Sequence, residues 1–300
     1  IADHYRSFFN VIFRANTVLQ NLGVASETNK AKIEGEAKFI RAYVYFNLVR
    51  LYGAIPLLDS FVGVNDDNSF IRRPVADVYE LIISDLNSAV AGLDNSNGRN
   101  RATKAAAQGL LAKVHLTLGN YLEAQQLLES VMSGGFALEA NFRDVFFNES
   151  NSEVIFSIGY SSGLALDSQN FSAEFLNGVG RTVGVNYVTD DAKAFMEATG
   201  GDRTVVSMRT DPIQPTQTQV IKFLPDGFDG GSDGKTFDFD ARLAGNDWIV
   251  LRYADILLMH AEAILAGGTE TNDPAALASF QQVRDRAGLT EIVTSISRDD

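Results

Sequence analysis

Residues Ile33 to Pro56 read I-E-G-E-A-K-F-I-R-A-Y-V-Y-F-N-L-V-R-L-Y-G-A-I-P. The stretch predicts one long helix, because its apolar and aromatic residues recur at helical spacing. Gly53 and Pro56 predict where the helix ends, since glycine suits the residue after a helix and proline cannot continue one. Arg41 and Arg50 lie among aromatic residues, so we expect both to make cation–π contacts that fix the helix against its neighbours. The residues that define the predicted apolar stripe are Phe39, Ala42, Tyr43, Phe46, Val49 and Leu51.

Helical periodicity also covers most of the chain on either side of residues 141–247. Within that central region Gly, Asp, Ser, Asn and Phe accumulate, and only two short stretches read as strands. The fold class predicted is mostly α, with TPR-like helix pairs as a scaffold, long loops and minor short β-strands. The predicted helices are Tyr5–Leu22, Lys30–Tyr52, Val75–Leu93, Thr103–Leu118, Tyr121–Met132, Ile249–Ala266 and Pro274–Ala287, and the predicted strands are Glu153–Ile158 and Val220–Leu224.

The predicted helices form pairs of the kind found in tetratricopeptide (TPR) repeats, which stack because one pair cannot bury its apolar face alone. The clearest pair spans Thr103 to Ser133, where small and apolar residues have the spacing of a TPR unit. A second pair joins Glu36–Tyr52 to Val75–Leu93, and a third joins Ile249–Ala266 to Pro274–Ala287. The residues with TPR spacing are Ala112, Gly119, Tyr121, Ala124, Leu128 and Val131.

The composition limits the classes of function. A formal net charge of −13 argues against binding nucleic acid, which requires clustered Lys and Arg. Zero cysteines exclude disulfides, thiol catalysis and thiolate metal sites. No apolar run is long enough to span a bilayer, and no signal region opens the chain. Because both ends of the chain interrupt regular patterns, we expect it to be the interior of a longer protein.

Several motifs resemble the SusD/RagB family of outer-membrane nutrient-binding lipoproteins of Bacteroidota. The most specific is G-E-A-K-F-I-R-A-Y-V-Y-F-N-L-V-R-L-Y-G-A-I-P at Gly35–Pro56. N-D-W-I-V-L-R-Y-A-D-I-L-L-M-H-A-E-A at Asn246–Ala263 and Q-V-R-D-R-A-G-L at Gln282–Leu289 are similar to the family's C-terminal helix pair. Tyr5–Leu22 and Arg101–Ala124 are similar to two further helical segments, so the motifs follow the family order. The family's lipid-bearing cysteine, first helical segment and Glu/Arg-rich C-terminal helix are absent from these residues.

The resemblance implies one SusD-like domain over residues 1–300, truncated at both ends. Its helical scaffold would comprise residues 1–140 and 248–290, and its loop-rich ligand-binding region residues 141–247. It also implies a lipid anchor in the full-length protein, at the cell-surface face of the outer membrane. The expected function is to capture an oligosaccharide or polysaccharide and deliver it to a SusC-like TonB-dependent transporter, without catalysis or a cofactor. The alternative is a TPR-type scaffold that binds peptides or proteins, which includes peptide capture as in RagB.

A sugar site requires flat apolar faces for the ring and amide or carboxylate groups for the hydroxyls, and long loops on a rigid scaffold supply both. The alternative for each aromatic residue is that it pins its loop onto the scaffold. For Trp248, which lies inside a family motif, we expect packing or a helix start instead of ligand contact. Arg252 and Asp255 are likewise predicted to be scaffold charges. The predicted ligand-binding residues are Tyr160, Asn170, Phe171, Asn186, Tyr187, Phe228 and Asp229.

Other chemistry receives less support from the sequence. The run from Gly159 to Gly163 matches G-x-S-x-G, but no alternating strand–helix pattern supplies the parallel sheet that a serine hydrolase requires. The aspartates of the loop around residue 229 are a possible calcium site, although Asp-Gly turns are also common at surfaces. The histidines are predicted to be interhelical packing residues. The aspartates are Asp226, Asp229 and Asp233, and the histidines are His4, His115 and His260.

Overall fold

A computed structural model describes residues 2–63, 67–164, 166–175, 186–211, 214–224 and 243–299. The fold is mostly helical with short strands, as the sequence predicted. It divides into two compact units. The first contains Ile1–Gly135, Leu258–Ala276 and Ser297–Asp300, and the second contains Phe136–Leu257 and Leu277–Ile296. The predicted loop-rich region, residues 141–247, falls within the second unit. Over the described ranges, no helix has the length and apolar character that crossing a bilayer requires.

The N-terminal part of the first unit is a series of antiparallel helices. Helix α2 packs against α1 and α3, α3 packs against α4, and α4 packs against α5. The contacts of α2 with α3 and of α4 with α5 confirm the first two predicted helix pairs. The elements are α1 (Ala2–Gln20), α2 (Glu27–Tyr52), β1 (Ile55–Pro56), β2 (Arg72–Arg73), α3 (Val75–Gly92), α4 (Lys104–Leu118) and α5 (Tyr121–Met132).

Helix α2 is the central helix of this unit and ends where the sequence predicted. Gly53 adopts a φ of +69°, which favours glycine, and its N–H donates a 2.9 Å hydrogen bond to the carbonyl oxygen of Val49. Pro56 then lies in β1, which pairs with β2 in antiparallel register. Because α2 is covered by helices on two sides, the largest side chains of its middle turns are buried: Phe39, Tyr45, Phe46 and Leu48.

The expected cation–π contacts are confirmed for Arg50 and wrong for Arg41. The guanidinium carbon of Arg50 lies 4.1 Å from the ring centroid of Phe46. Arg41 is only 5% exposed and instead donates two hydrogen bonds of 2.7 and 2.8 Å to the Asp85 carboxylate. Its Nη1 donates to Asn16 Oδ1 (2.7 Å) and to the carbonyl oxygen of Asp59 (2.8 Å). A buried guanidinium must satisfy several donors, and an aromatic face cannot accept them all.

The pair α4–α5 shows why this segment matches a TPR unit. The Thr103 hydroxyl caps α4 by accepting a hydrogen bond from the N–H of Ala106, and Gly119 ends the helix at a φ of +77°. Between the two helices, Gln108 Nε2 donates to the Ser130 hydroxyl at 2.9 Å. Ala112 is fully buried, which permits the helices to approach closely.

The second unit contains short helices and short antiparallel strands, which agrees with the predicted long loops and minor strands. Strands β3 and β7 form one ladder, with Ile158 opposite Trp248, and β4, β6 and β5 form another in that order. The elements from residue 136 onward are α6 (Phe142–Phe147), β3 (Val154–Ile158), α7 (Phe171–Glu174), β4 (Tyr187–Val188), α8 (Asp190–Thr199), α9 (Arg203–Ser207), β5 (Met208–Thr210), β6 (Thr218–Val220), β7 (Trp248–Arg252), α10 (Tyr253–Leu265), β8 (Glu270–Thr271), α11 (Pro274–Arg286) and β9 (Ile296–Ser297).

Two predicted elements need correction. Residues 249–252 were assigned to a helix, but they form strand β7 and α10 begins at Tyr253. A short continuous apolar run such as W-I-V-L fits a buried strand as well as a helix, and here the ladder with β3 decides between them. The strand predicted at Val220–Leu224 is instead β6 at Thr218–Val220, followed by a turn. The predicted strand Glu153–Ile158 is confirmed as β3.

We expect Asp85→Ala to lower the free energy of unfolding by about 3–5 kcal/mol, because it leaves the buried Arg41 charge without its counterion. The matched control is Asp77→Ala on the same helix, whose carboxylate pairs with the exposed Arg73 at 2.9 Å. That change should cost about 1 kcal/mol or less. Urea denaturation followed by circular dichroism measures both, and equal losses would contradict a dominant role for the buried pair.

Candidate functional site

Five aromatic side chains of the second unit form a connected cluster, which we call the aromatic platform: Tyr160, Phe171, Phe175, Phe223 and Trp248. The Phe171 ring meets the rings of Tyr160 (6.2 Å between centroids) and Trp248 (5.1 Å) edge to face. Phe223 stacks on Trp248 at 5.8 Å and lies 4.8 Å from Phe175. Trp248 is 38% exposed and the other four are half-buried, so the platform presents aromatic surface to solvent.

The β3–β7 ladder positions two members of the platform. Trp248 is the first residue of β7 and lies opposite Ile158, the last residue of β3. Tyr160 follows two residues later and is held by the Asp247 carboxylate, which accepts a 3.2 Å hydrogen bond from its backbone N–H. The same carboxylate accepts a 3.0 Å hydrogen bond from the hydroxyl of Ser157. Asp247 therefore ties the end of β3 to the start of β7.

A buried polar network lies beneath the platform. Gln169 Nε2 donates to the Ser172 hydroxyl (2.9 Å) and to Asn246 Oδ1 (2.6 Å). The hydroxyl of Ser172 (2.7 Å) and the amide nitrogen of Asn246 (3.0 Å) both donate to the backbone carbonyl oxygen of Phe223. Ser172 also donates its backbone N–H to Gln169 Oε1 at 3.2 Å. Gln169 and Ser172 are buried, so these bonds form where water does not compete.

The network joins three separate segments that each carry an aromatic residue. Ser172 follows Phe171 on α7, Asn246 lies two residues before Trp248, and the third partner is the backbone of Phe223 itself. The polar groups in the network would be left unpaired if one segment shifted, so the rings are fixed relative to one another. A surface ordered in this way loses less conformational entropy when a ligand binds.

A cation lies at the edge of the platform. The ammonium of Lys222 is 5.1 Å from the centroid of Phe223 and 5.8 Å from that of Phe146, both within cation–π range. Burial, followed by the positive charges of Arg252 and Arg203, lowers the pKa of Lys222 below its ordinary value. The residue is half-buried, so part of it remains accessible to solvent.

Arg252 is a scaffold charge, as the sequence predicted. Its Nη1 donates to Glu153 Oε1 at 3.0 Å, while Arg286 Nη1 donates to Glu153 Oε2 at 2.6 Å. The Glu153 side chain is fully buried and also accepts the N–H of Glu139 at 2.9 Å. Asp255 accepts the backbone N–H of Arg252 at 3.3 Å, which agrees with its predicted structural role. The Glu153 carboxylate, just before β3, thus joins this strand to β7 and α11.

The structure brings together some of the predicted ligand-binding residues. Tyr160 and Phe171 are members of the platform. Asn170 is exposed and directly precedes α7. Asn186 is exposed and donates its backbone N–H to the carbonyl oxygen of Glu174 at the end of α7. Tyr187 begins β4 and is 51% exposed, while Phe228 and Asp229 lie outside the described residues. The ligand-binding role of all seven stays a prediction.

Sequence reasoning missed Phe223 and assigned Trp248 a different role. Packing of Trp248 is confirmed by its contacts with Phe171 and Phe223, but a helix start is wrong because the residue begins a strand. Its exposed fraction leaves part of the indole available to a ligand. Phe223 was placed within a predicted strand, where nothing in the sequence distinguishes a packing phenylalanine from an exposed one. The neighbouring Lys222 could have indicated that Phe223 lies near the surface, since a charged residue between apolar ones is usually accessible to solvent.

The geometry does not support a serine hydrolase at Ser161. A nucleophile elbow requires a strand that leads directly into a helix on a parallel sheet. Strand β3 pairs with β7 in antiparallel register, and Ser161 directly precedes a turn and donates its backbone N–H to the carbonyl oxygen of Asp167 at 2.8 Å. The described part of the chain contains no helix immediately after this serine.

His115 and His260 pack as predicted, whereas His4 is exposed on α1, so its predicted packing role is wrong. Asn120 Nδ2 lies 3.2 Å from His115 Nδ1, and burial lowers the pKa of His115. His260 is buried, with Nε2 3.6 Å from Glu129 Oε1 on α5. Within the described ranges, no group of His, Asp and Glu side chains is arranged to hold a metal ion. The calcium candidates Asp226, Asp229 and Asp233 lie outside those ranges.

Comparison with known proteins identifies the family. A family model described as "Starch-binding associating with outer membrane" matches residues 1–116, and the model of the SusD family matches residues 215–299. The chain belongs to the SusD/RagB family. Its curated relatives agree: a SusD-like protein of Bacteroides ovatus is 28% identical over the whole chain, and SusD-like protein P2 of Formosa agariphila is 30% identical over 94% of it. Both matches cover 61% of the relative, so this chain spans about three fifths of their length.

Solved structures of SusD-like proteins share the fold. A protein crystallised with a xylogluco-oligosaccharide superposes with a TM-score of 0.85 at 27% identity, over 100% of this chain and 67% of that one. A laminarin-binding SusD-like protein superposes with a TM-score of 0.82 at 23% identity, over 97% of this chain and 71% of that one. The superpositions agree with the mostly helical, TPR-like architecture.

We expect Asn246→Ala to lower the free energy of unfolding by about 1–3 kcal/mol, because one buried N–H of Gln169 loses its acceptor and the Phe223 carbonyl loses one of its two donors. Since Trp248 is the only tryptophan, its emission reports on the platform alone and should move to longer wavelength. The control is Asn21→Ala, an exposed amide that donates to the carbonyl oxygen of Thr17. Unchanged emission and stability in Asn246→Ala would show that the network does not hold the platform.

Proposed function

We propose that the protein is a non-catalytic glycan-binding protein that captures oligosaccharides on the aromatic platform. The observation that carries this proposal is the exposed Trp248 indole, held among other rings by a buried polar network. Support also comes from the 27% identity, over the whole chain, to a protein crystallised with a xylogluco-oligosaccharide. The proposed ligands are therefore oligosaccharides or polysaccharides.

The chemistry of the platform suits a sugar ring. Pyranose rings expose C–H groups on their flat faces, and an aromatic face attracts these because its π-system carries partial negative charge. Phe171 and Phe223 support the indole of Trp248 from two directions, so its orientation is fixed before the ligand arrives. Asn170 and Asn186, exposed near the two ends of α7, supply amide groups for the hydroxyls of a bound sugar.

The proposal extends to the place and partner of this activity. The full-length protein is held by a lipid anchor at the cell-surface face of the outer membrane, and it delivers its glycan to a partner TonB-dependent transporter of the SusC type. The location is supported by one matching family model, which is described as associating with the outer membrane, while the lipid anchor and the transporter partner are what the family resemblance implies. Such a role requires binding and release, and it requires no chemical step.

Trp248→Ala should weaken glycan binding at least about tenfold, and Phe171→Ala should weaken it by a similar or smaller factor. Removing a large aromatic side chain from the centre of a binding surface typically costs about 2 kcal/mol or more. A glycan array with the purified chain identifies a ligand, and isothermal titration calorimetry then measures each variant. Wild-type and Phe171→Ala protein also permit titration by Trp248 fluorescence.

The matched control is Phe195→Ala, which removes another exposed aromatic side chain, on α8, and should leave affinity unchanged. Equal affinity in the wild type and Trp248→Ala would place the site elsewhere. If the array shows no glycan while a peptide library gives binders, the protein is a peptide-binding member of the family instead.

A further inference from the structure

Lys222 lies at the edge of the platform without a carboxylate beside it in the described structure. Its ammonium contacts the faces of Phe223 and Phe146, and across the described ranges no Asp or Glu side chain lies within ion-pair distance of it. Cation–π contacts offset only part of the cost of removing an ammonium from water. The Lys222 ammonium can therefore still pair with a negatively charged group of a ligand.

The surroundings of Lys222 add to its positive potential. The charges of Arg252 and Arg203 act on Lys222, and both guanidinium groups have other partners. Arg252 is paired with the buried Glu153, while Arg203 donates to the carbonyl oxygens of Gly200 and Thr199, which carry no net charge. This concentration of cations contrasts with the formal net charge of −13 of the whole chain. An anionic ligand would be attracted to this part of the surface in particular.

Phe223 connects the cation to the sugar-stacking surface. One ring contact joins it to the Lys222 ammonium at 5.1 Å, and another joins it to the Trp248 indole at 5.8 Å. A single aromatic ring therefore separates the Trp248 indole from the ammonium, a gap that a substituent on a neighbouring sugar can bridge when one sugar packs on the exposed part of Trp248. Neutral hydroxyls would gain one hydrogen bond there, whereas a carboxylate or sulfate would gain a stronger, charge-assisted one.

We propose that Lys222 gives the platform a preference for acidic glycans, which carry a uronic acid carboxylate or a sulfate ester beside the stacked sugar ring. The inference rests on the proposed glycan-binding function and specifies its substrate class. The anionic group accepts a hydrogen bond from the Lys222 ammonium, while the ring face packs on Trp248. The charge selects the ligand and the aromatic surface supplies the contact area.

The test compares three oligosaccharides of equal length by isothermal titration calorimetry: an oligogalacturonide, a sulfated carrageenan oligosaccharide and an uncharged galacto-oligosaccharide. Lys222→Gln should lower affinity for at least one of the acidic ligands about tenfold or more, because a hydrogen bond to a charged group is lost. Its affinity for the uncharged ligand should change less than about twofold. The two acidic ligands distinguish a carboxylate preference from a sulfate preference.

Two further variants control the test. Lys222→Arg keeps the charge and should retain acidic-glycan binding, and Lys104→Gln, on the exposed start of α4, makes the same change in net charge without effect. Acidic binding that is equal in Lys222→Gln and Lys104→Gln overturns the inference, as does a wild type that binds only the uncharged ligand. Both outcomes leave the proposed function intact. A wild type that binds no glycan of any charge overturns the proposed function together with the inference.

Discussion

The Arg41 guanidinium is buried in the first unit, and it is satisfied only by acceptors from several separate segments. Asp85 on α3 supplies two, Asn16 on α1 supplies one, and the backbone of Asp59 supplies another. Since an unpaired buried charge is very unfavourable, these segments must all be in place together. Glu153 imposes the same constraint in the second unit, where Arg252 and Arg286 reach it from β7 and α11. Each unit is thus fixed by a charge whose partners are distant in sequence.

The aromatic platform is likewise held by buried groups whose partners lie on separate segments, but here the groups are uncharged. Short elements such as α7, with four residues, and the turn that carries Phe223 have little stability of their own. Gln169, Ser172 and Asn246 compensate by joining these segments through buried hydrogen bonds. The platform can therefore consist of short, irregular segments and still present its rings in a fixed arrangement, which a binding surface requires.

Much of the fold was predictable because its helices are amphipathic or end at glycine. Helix α1 is the amphipathic case, and α2 illustrates the second, since Gly53 defines its end. The predicted apolar stripe of α2 was wrong at Leu51, which is 65% exposed. Sequence periodicity could not predict that Arg41 would be buried in an ion pair, because its partner Asp85 lies on another helix and approaches Arg41 only when the two helices pack together. It also assigned Ile249 to a helix, since a short apolar run carries no information about the strand that will pair with it.

The candidate site was predictable only in part, for a physical reason. Tyr160 and Phe171 could be identified because aromatic residues in an irregular, polar segment are conspicuous. Trp248 and Phe223 could not, since each belongs to a segment that reads as regular structure, and their exposure depends on how β7 and the turn after β6 meet. The roles of Gln169 and Ser172 were harder still to predict, because a polar residue in an irregular segment does not reveal from the sequence which groups it will bind.

Two groups of side chains contribute to the platform in different ways: one holds its segments in place, and the other shapes the surface that a ligand meets. Asn246 and Asp247 form hydrogen bonds with the segments that carry the rings, so changes there act on folding as well as on binding. Lys222 and Tyr160 lie at the edges of the aromatic surface, where a change alters the charge or shape offered to a ligand while the buried hydrogen bonds remain. Ligand preference can therefore change while the buried hydrogen bonds that hold the platform stay the same. A scaffold of this kind can accommodate different ligands by substitutions around one stable aromatic surface, because selectivity and stability depend on different residues.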